Sequence, residues 1–122
     1  MFIISKEFHF SASHQLTALP QSHPCARLHG HNYIVVIELA AEDLDDFGFV
    51  VDYRELAFAK KIIDDEYDHR HLNDVLGHDR VTAENLARHF YERFKPQCPQ
   101  INAVRVSETP KTWAKYCPKH DD

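Results

Sequence analysis

The stretch "HNYIVVIELAAEDLDDFGFVVDYRELAFAKKIIDDEYD", residues 31–68, decides the fold class, because its hydrophobic period changes halfway. Residues 31–41 are almost continuously apolar and β-branched, which predicts a strand with little polar face. Further on, Leu56, Ala59, Ile63 and Tyr67 recur at helical spacing with charges between them. Asp52 can cap this helix, and Glu55 three residues later predicts a capping box.

Upstream, "FIISKEFHF" (2–10) alternates, with Phe2, Ile4, Phe8 and Phe10 on one face and Lys6 as the exception. This is a strand of period two. Between the two strands, "TALPQSHPCARLHG" (17–30) contains two prolines and reads as a long loop. Downstream, "VTAENLARHFYERFKP" (81–96) is a second helix. Thr82 caps it, and Ala83, Leu86 or Ala87, Phe90 and Phe94 form its buried stripe. Pro96 forbids continuation. "INAVRVSE" (101–108) and "TWAKYC" (112–117) are two further short strands around Pro110. The order strand, strand, helix, helix, strand, strand predicts an α+β fold, with an antiparallel four-stranded sheet and two helices on one face. The other face and the sheet edges stay uncovered, which favours a homo-oligomer.

Composition bounds the function. The chain has 122 residues, 43% hydrophobic and 27% charged, as expected of a single soluble domain over 1–122. A net charge of -5 argues against a nucleic-acid surface but leaves room for a small anionic substrate. No apolar run approaches the ~20 residues of a membrane span. The segment "MFIISKEFHF" lacks the features of a secretory signal. Three cysteines, Cys25, Cys98 and Cys117, cannot all pair, which favours a reduced, cytoplasmic setting.

Ten histidines are an excess that needs a reason. "HPCARLHGHNY" (23–33) places His29 and His31 at positions i and i+2, which share a direction if the segment is a strand. Two such imidazoles can grip one metal ion, or they are surface or hydrogen-bonded core residues. His14, just beyond the first strand, is the leading third ligand, with His9 and His23 as rivals. Three histidines and one open position would make a catalytic Zn²⁺ site. Gly30 leaves room for close backbone approach. Cys25 is a small buried hydrophobe, a thiolate base favoured by nearby positive charge, or a fourth ligand closing a structural zinc shell.

In "YDHRHLND" (67–74), Asp68 beside His69 suits proton transfer. Local sequence favours instead a helix C-terminus capped by His69, Arg70 and His71. Glu108, at the end of an apolar strand face, is a solvated terminus or a ligand anchor. Glu84 is most simply a first-turn acid favoured by the helix dipole.

Taken in order, "SASHQL", "CARLHGHNY", "FVVDYREL", "YDHRHLND", "TAENLA" and "SETP" resemble the 6-pyruvoyltetrahydropterin synthase family over nearly the whole chain. The Cys-x-x-x-His-Gly-His spacing is most similar to its bacterial branch, the 6-carboxy-5,6,7,8-tetrahydropterin synthases of queuosine biosynthesis. The resemblance implies the tunnelling fold, two β-hairpins around a pair of helices, assembled as trimers that stack into hexamers. It implies Zn²⁺ on His14, His29 and His31, and Cys25 as the proton-abstracting residue. It also implies Asp68 and His69 as relay partners reaching a neighbouring subunit's site, and Glu108 as pterin anchor and part of the relay. The implied reaction converts 7,8-dihydroneopterin triphosphate to 6-carboxy-5,6,7,8-tetrahydropterin, releasing acetaldehyde and triphosphate. Alternatives are elimination that stops at the 6-pyruvoyl product, a non-catalytic zinc-binding module, and a zinc hydrolase, against which Cys25 argues. Arg70 and the tail "TPKTWAKYCPKHDD" (109–122) depart from the pattern, and the tail is assigned no role. Arg27, Arg54, Lys111 and Lys115 are unranked candidates to hold the triphosphate.

Overall fold

The computed structural model describes residues 1–118. Two long strands, β1 (Phe2–His14) and β2 (His29–Ala41), form an antiparallel hairpin. Three helices follow: α1 (Ala57–Glu66), α2 (Leu72–Leu76) and α3 (Ala83–Phe94). Strands β3 (Ile101–Ser107) and β4 (Ala114–Tyr116) complete a four-stranded sheet in the order β1-β2-β3-β4. All its pairings are antiparallel. The predicted α+β class and element order are therefore observed. None of the described helices is long and apolar enough to cross a membrane.

The register aligns the apolar face. Phe8 lies opposite Val35 and Phe10 opposite Tyr33, while Val35 faces Val106 and Ile37 faces Val104 on the other side of β2. Cross-strand partners share a face, so these side chains form one inward surface. The helices bury the predicted stripes on it: Leu56, Ala59, Ile63 and Tyr67, then Leu86, Ala87, Phe90 and Phe94, while the predicted Ala83 is only partly buried. Phe90 lies 5.9 Å edge-on to Phe10, 4.8 Å from Tyr67 and stacked at 5.5 Å on Phe94. Each such ring contributes about 1.5–3 kcal/mol by burial. On the opposite sheet face, Glu38 accepts from Lys115 Nζ at 2.8 Å and pairs with Arg105 Nε at 3.0 Å.

Four local features differ from the sequence reading. His14 is the last residue of β1, not beyond it. Asp52 caps a 3₁₀ turn, Tyr53–Leu56, that leads into α1. Its Oδ1 accepts from Arg54 N–H at 2.9 Å, one residue earlier than a capping box uses. A short additional helix, α2, lies between the two predicted ones and is too short to show a hydrophobic period. It is closed by Gly77, whose φ of 77° supplies the left-handed C-terminal turn. The last strand is only Ala114–Tyr116.

Candidate metal centre

The β1–β2 register sets His14 opposite His29 and Ala12 opposite His31. All three imidazoles thus project from the inward sheet face, just beyond Tyr33. Their ring centroids lie 4.4, 5.0 and 4.8 Å apart, and one nitrogen from each falls within 4.8 Å of the others. The rival histidines are elsewhere. His9 sits beside Glu7 at 3.4 Å on the exposed face, and His23 Nδ1 accepts from Cys25 N–H at 3.0 Å.

The hydrogen bonds define what this cluster can hold. His14 Nδ1–H donates to the Val81 carbonyl at 2.7 Å, and His29 Nδ1–H to the Arg27 carbonyl at 2.6 Å. A carbonyl only accepts, so both rings carry their proton on Nδ1. Their Nε2 lone pairs then face each other across 2.8 Å. Two lone pairs in that position repel unless a cation stands between them. Among the described residues, His31 Nε2 is buried and has no hydrogen-bond partner. Two Nε2 lone pairs fixed by backbone acceptors, with the His31 ring as a third donor beside them, fit a divalent metal of zinc type. Burial holds the pKa of His14 and of His31 below the usual histidine range, with the neighbouring imidazoles adding to the effect. That favours the neutral, ligating form. Gly30 is not required for space, since a Cβ there would meet Ala12 O at an ordinary 3.4 Å.

Cys25 lies outside this cluster. It is in a 3₁₀ turn, Pro24–Ala26, half-exposed, on the loop between β1 and β2. That loop is tied to the end of β1. Leu16 N–H donates to Cys25 O at 2.9 Å, and Gln15 Nε2 donates to Ala26 O at 2.9 Å. Gln15 is itself clasped by buried Asn73 of α2, which accepts from Gln15 N–H at 2.9 Å and donates to Gln15 O at 2.7 Å.

Glu108 follows β3, and its Oε2 is 3.7 Å from His31 Nε2. Burial raises its pKa, an effect increased by Glu84 and opposed by His14 and His29. The two acids share a cleft of about 210 Å³ with Leu16, Thr82, Thr112 and Trp113. Thr112 and Trp113 belong to the tail that sequence reasoning left without a role. The signal was available, since Trp113 is the only tryptophan in the chain.

Asp68 and His69 do not cap α1. Its cap is Tyr67, and of the three basic residues only Arg70 reaches an end carbonyl, that of Asp65, at 3.2 Å. The segment instead runs along the outer edge of β1. His69 N–H donates to Ser11 O, Ser13 N–H to Arg70 O, and Ser13 bridges His71 in parallel. This docking puts His69 in the left-handed region at φ 59°. Asp68 accepts from Ser11 N–H at 2.9 Å and from His69 Nδ1–H at 2.9 Å. These bonds hold its carboxyl below the usual range, the Ser11 amide having the larger effect. The His69 ring is 81% exposed and opens on a cavity of about 480 Å³ with Ser11, Ser13 and Asn32. Neither Cys25 nor Glu108 lines that cavity.

The family profile described as 6-pyruvoyl tetrahydropterin synthase matches residues 3–119. The chain belongs to the 6-pyruvoyl tetrahydropterin synthase family. Among its relatives, the 6-carboxy-5,6,7,8-tetrahydropterin synthase of Bacillus subtilis (strain 168) is 36% identical over 97% of this chain and 86% of its own. The protein of the same name from Synechocystis sp. is 34% identical over 95% and 93%. The solved structure of the Caenorhabditis elegans 6-pyruvoyl tetrahydropterin synthase superposes with a TM-score of 0.84 at 26% identity, covering 97% of this chain and 96% of that one. The tunnelling fold of the family is thus the fold of this chain.

Proposed function

We propose that this protein is a zinc-dependent lyase. It converts 7,8-dihydroneopterin triphosphate and water to 6-carboxy-5,6,7,8-tetrahydropterin, acetaldehyde and triphosphate, in 7-deazapurine and queuosine biosynthesis in the cytoplasm. The observation that carries the reading is the trio His14, His29 and His31, with two tautomers locked by carbonyls and Cys25 left out of the ligand set. A closed structural shell would include the thiol; an open, all-histidine set suits catalysis. The synthase names of the Bacillus and Synechocystis relatives support the 6-carboxy product.

Bound zinc supplies Lewis acidity toward the two side-chain hydroxyls of the substrate. Glu108 accepts hydrogen bonds from the pterin's amino group and ring N–H, a planar two-point contact. Cys25, as thiolate, removes a carbon-bound proton from the side chain. His69, oriented by Asp68, returns and relays protons from a neighbouring subunit of a trimer-based hexamer. The ring gains the hydrogen that the side chain loses, so no redox cofactor is needed. Loss of triphosphate and cleavage of one carbon–carbon bond then leave the 6-carboxyl.

Incubation with dihydroneopterin triphosphate and mass analysis of the pterin tests this. The 6-carboxy product with one equivalent of acetaldehyde is expected. A 6-pyruvoyl product without acetaldehyde would assign the shorter reaction, and an unchanged substrate would leave only the zinc-binding module.

A further inference from the structure

A second cleft adjoins the site, between the residues that leave β1 and the loop that joins α2 to α3. Its volume is about 600 Å³, and Thr17, His78, Asp79, Arg80, Asn85 and Arg88 line it. In a chain of net charge -5, this is a concentration of positive groups. Among the described residues, neither Arg80 nor Arg88 makes an ion pair. By contrast Arg54 is held by Asp52, Arg93 by Glu66 and Arg105 by Glu38. The one acid, Asp79, accepts hydrogen bonds from the side chains of Thr17 and Asn73.

The lining is organised. Arg80 N–H donates to His78 Nδ1 at 3.1 Å, so a neutral His78 keeps its Nε2–H free as a donor. Asn85 Nδ2 donates to the Arg80 carbonyl at 2.8 Å, and its Oδ1 accepts from Arg88 at 2.9 Å. One asparagine therefore fixes the backbone at one guanidinium and the side chain of the other. The cleft also has a defined place. Leu16 and Thr82 line the Glu108 cleft, whereas Thr17 and Arg80 line this one. Val81, between them, supplies the carbonyl that holds His14.

We propose that this cleft is the subsite for the substrate's triphosphate, with Arg80, Arg88 and His78 as its donors. The inference rests on the pterin reading above. It replaces two of the four basic residues weighed from sequence, since Arg54 is engaged with Asp52 and Lys115 with Glu38. A triphosphate of about four negative charges is matched by two planar guanidinium forks better than by point charges. Triphosphate leaves in the reaction, and the exposed position of both arginines gives it a route to solvent.

Calorimetric titration of the zinc-loaded oligomer with inorganic triphosphate, and separately with neopterin, tests the subsite. Arg80→Ala and Arg88→Ala should each weaken triphosphate binding at least tenfold. The lysine variants should recover part of it, and neopterin affinity should stay within twofold of the parent. With the full substrate, KM should rise more than kcat falls. Wild-type affinity for triphosphate in both alanine variants, at unchanged oligomeric state and melting temperature, overturns the subsite while the pterin reading stands. A changed oligomeric state with normal triphosphate binding marks the cleft as a subunit interface and overturns it too. Failure of the parent protein to bind neopterin sinks the pterin reading, and the subsite as a substrate site with it.

Discussion

His14 Nε2 and His29 Nε2 face each other across 2.8 Å, while the other nitrogen of each ring donates to a backbone carbonyl. The carbonyls belong to Val81 and Arg27, so the two loops that flank the site also set the proton positions of its two facing imidazoles. Replacing His29 or His31 by Ala should therefore lower bound zinc from about one per chain to near zero. Metal analysis of the purified variants checks this. Full occupancy in both would remove the three-histidine centre.

Chelation should destabilise the protein, because a metal that binds only the folded state adds stability by mass action. At a free zinc concentration of about 100 times Kd, the gain is about 2.7 kcal/mol. Thermal melts with and without chelator report it, and coincident curves would argue against a resident metal.

Cys25→Ala should retain zinc and fold but lose turnover, since the thiol stands outside the ligand cluster. Zinc content and product formation are measured on the same sample. Loss of both together would make Cys25 a ligand.

Glu108→Gln should weaken pterin binding by about 2–4 kcal/mol and zinc binding far less. An amide at this half-buried position meets one of the pterin's two donors with a donor of its own, a mismatch that costs this much once the bound pterin covers it. Titration with neopterin decides, and unchanged affinity would end the anchor role.

His69 is solvent-exposed on the outer edge of β1 and opens on a cavity that lacks Cys25. If its partner is a neighbouring subunit, Cys25→Ala and His69→Ala proteins should each be inactive alone. Random reassociation of an equal mixture should restore about a quarter of wild-type activity, as half of the chains bring an intact Cys25 and the other half an intact His69 to each closed interface. No recovery would place both groups in one chain.

Burial holds the His89 pKa below the ordinary value of 6.5, and its Nε2 lies within hydrogen-bond distance of Tyr67 Oη, at 2.6 Å. The unfolded chain therefore takes up this proton first as pH falls. The contribution of His89 to stability is complete above about pH 6.5 and is lost as pH falls from there toward the lowered folded value. Melting temperatures at pH 7 and pH 5 should fall less in His89→Gln than in the parent. An equal fall in both would show that His89 is not the titrating group.

The tail and the Asp68–His69 turn show where local reading stops. Thr112 and Trp113 line the Glu108 cleft although they lie on no periodic element, because a turn after β3 brings them back. His69, Arg70 and His71 read as a helix cap, since a cap is the local use of basic residues near a C-terminus. Their backbone pairs instead with Ser11 and Ser13, 57 or more positions earlier, and the Asp68 carboxylate accepts from Ser11 N–H, contacts that no local window contains.

The sequence by itself determined the element order, the buried stripes and the common direction of His29 and His31, because period two and period 3.6 are local properties of the chain. Only the tertiary structure decided which third histidine joins them, which tautomers His14 and His29 hold, and which arginines stand free of carboxylates among the described residues. Those depend on strand register and on carbonyls and acids that distant segments bring into place. Register is settled by burying one whole sheet face at once, and a slip of one residue would turn His14 to the other side of the sheet.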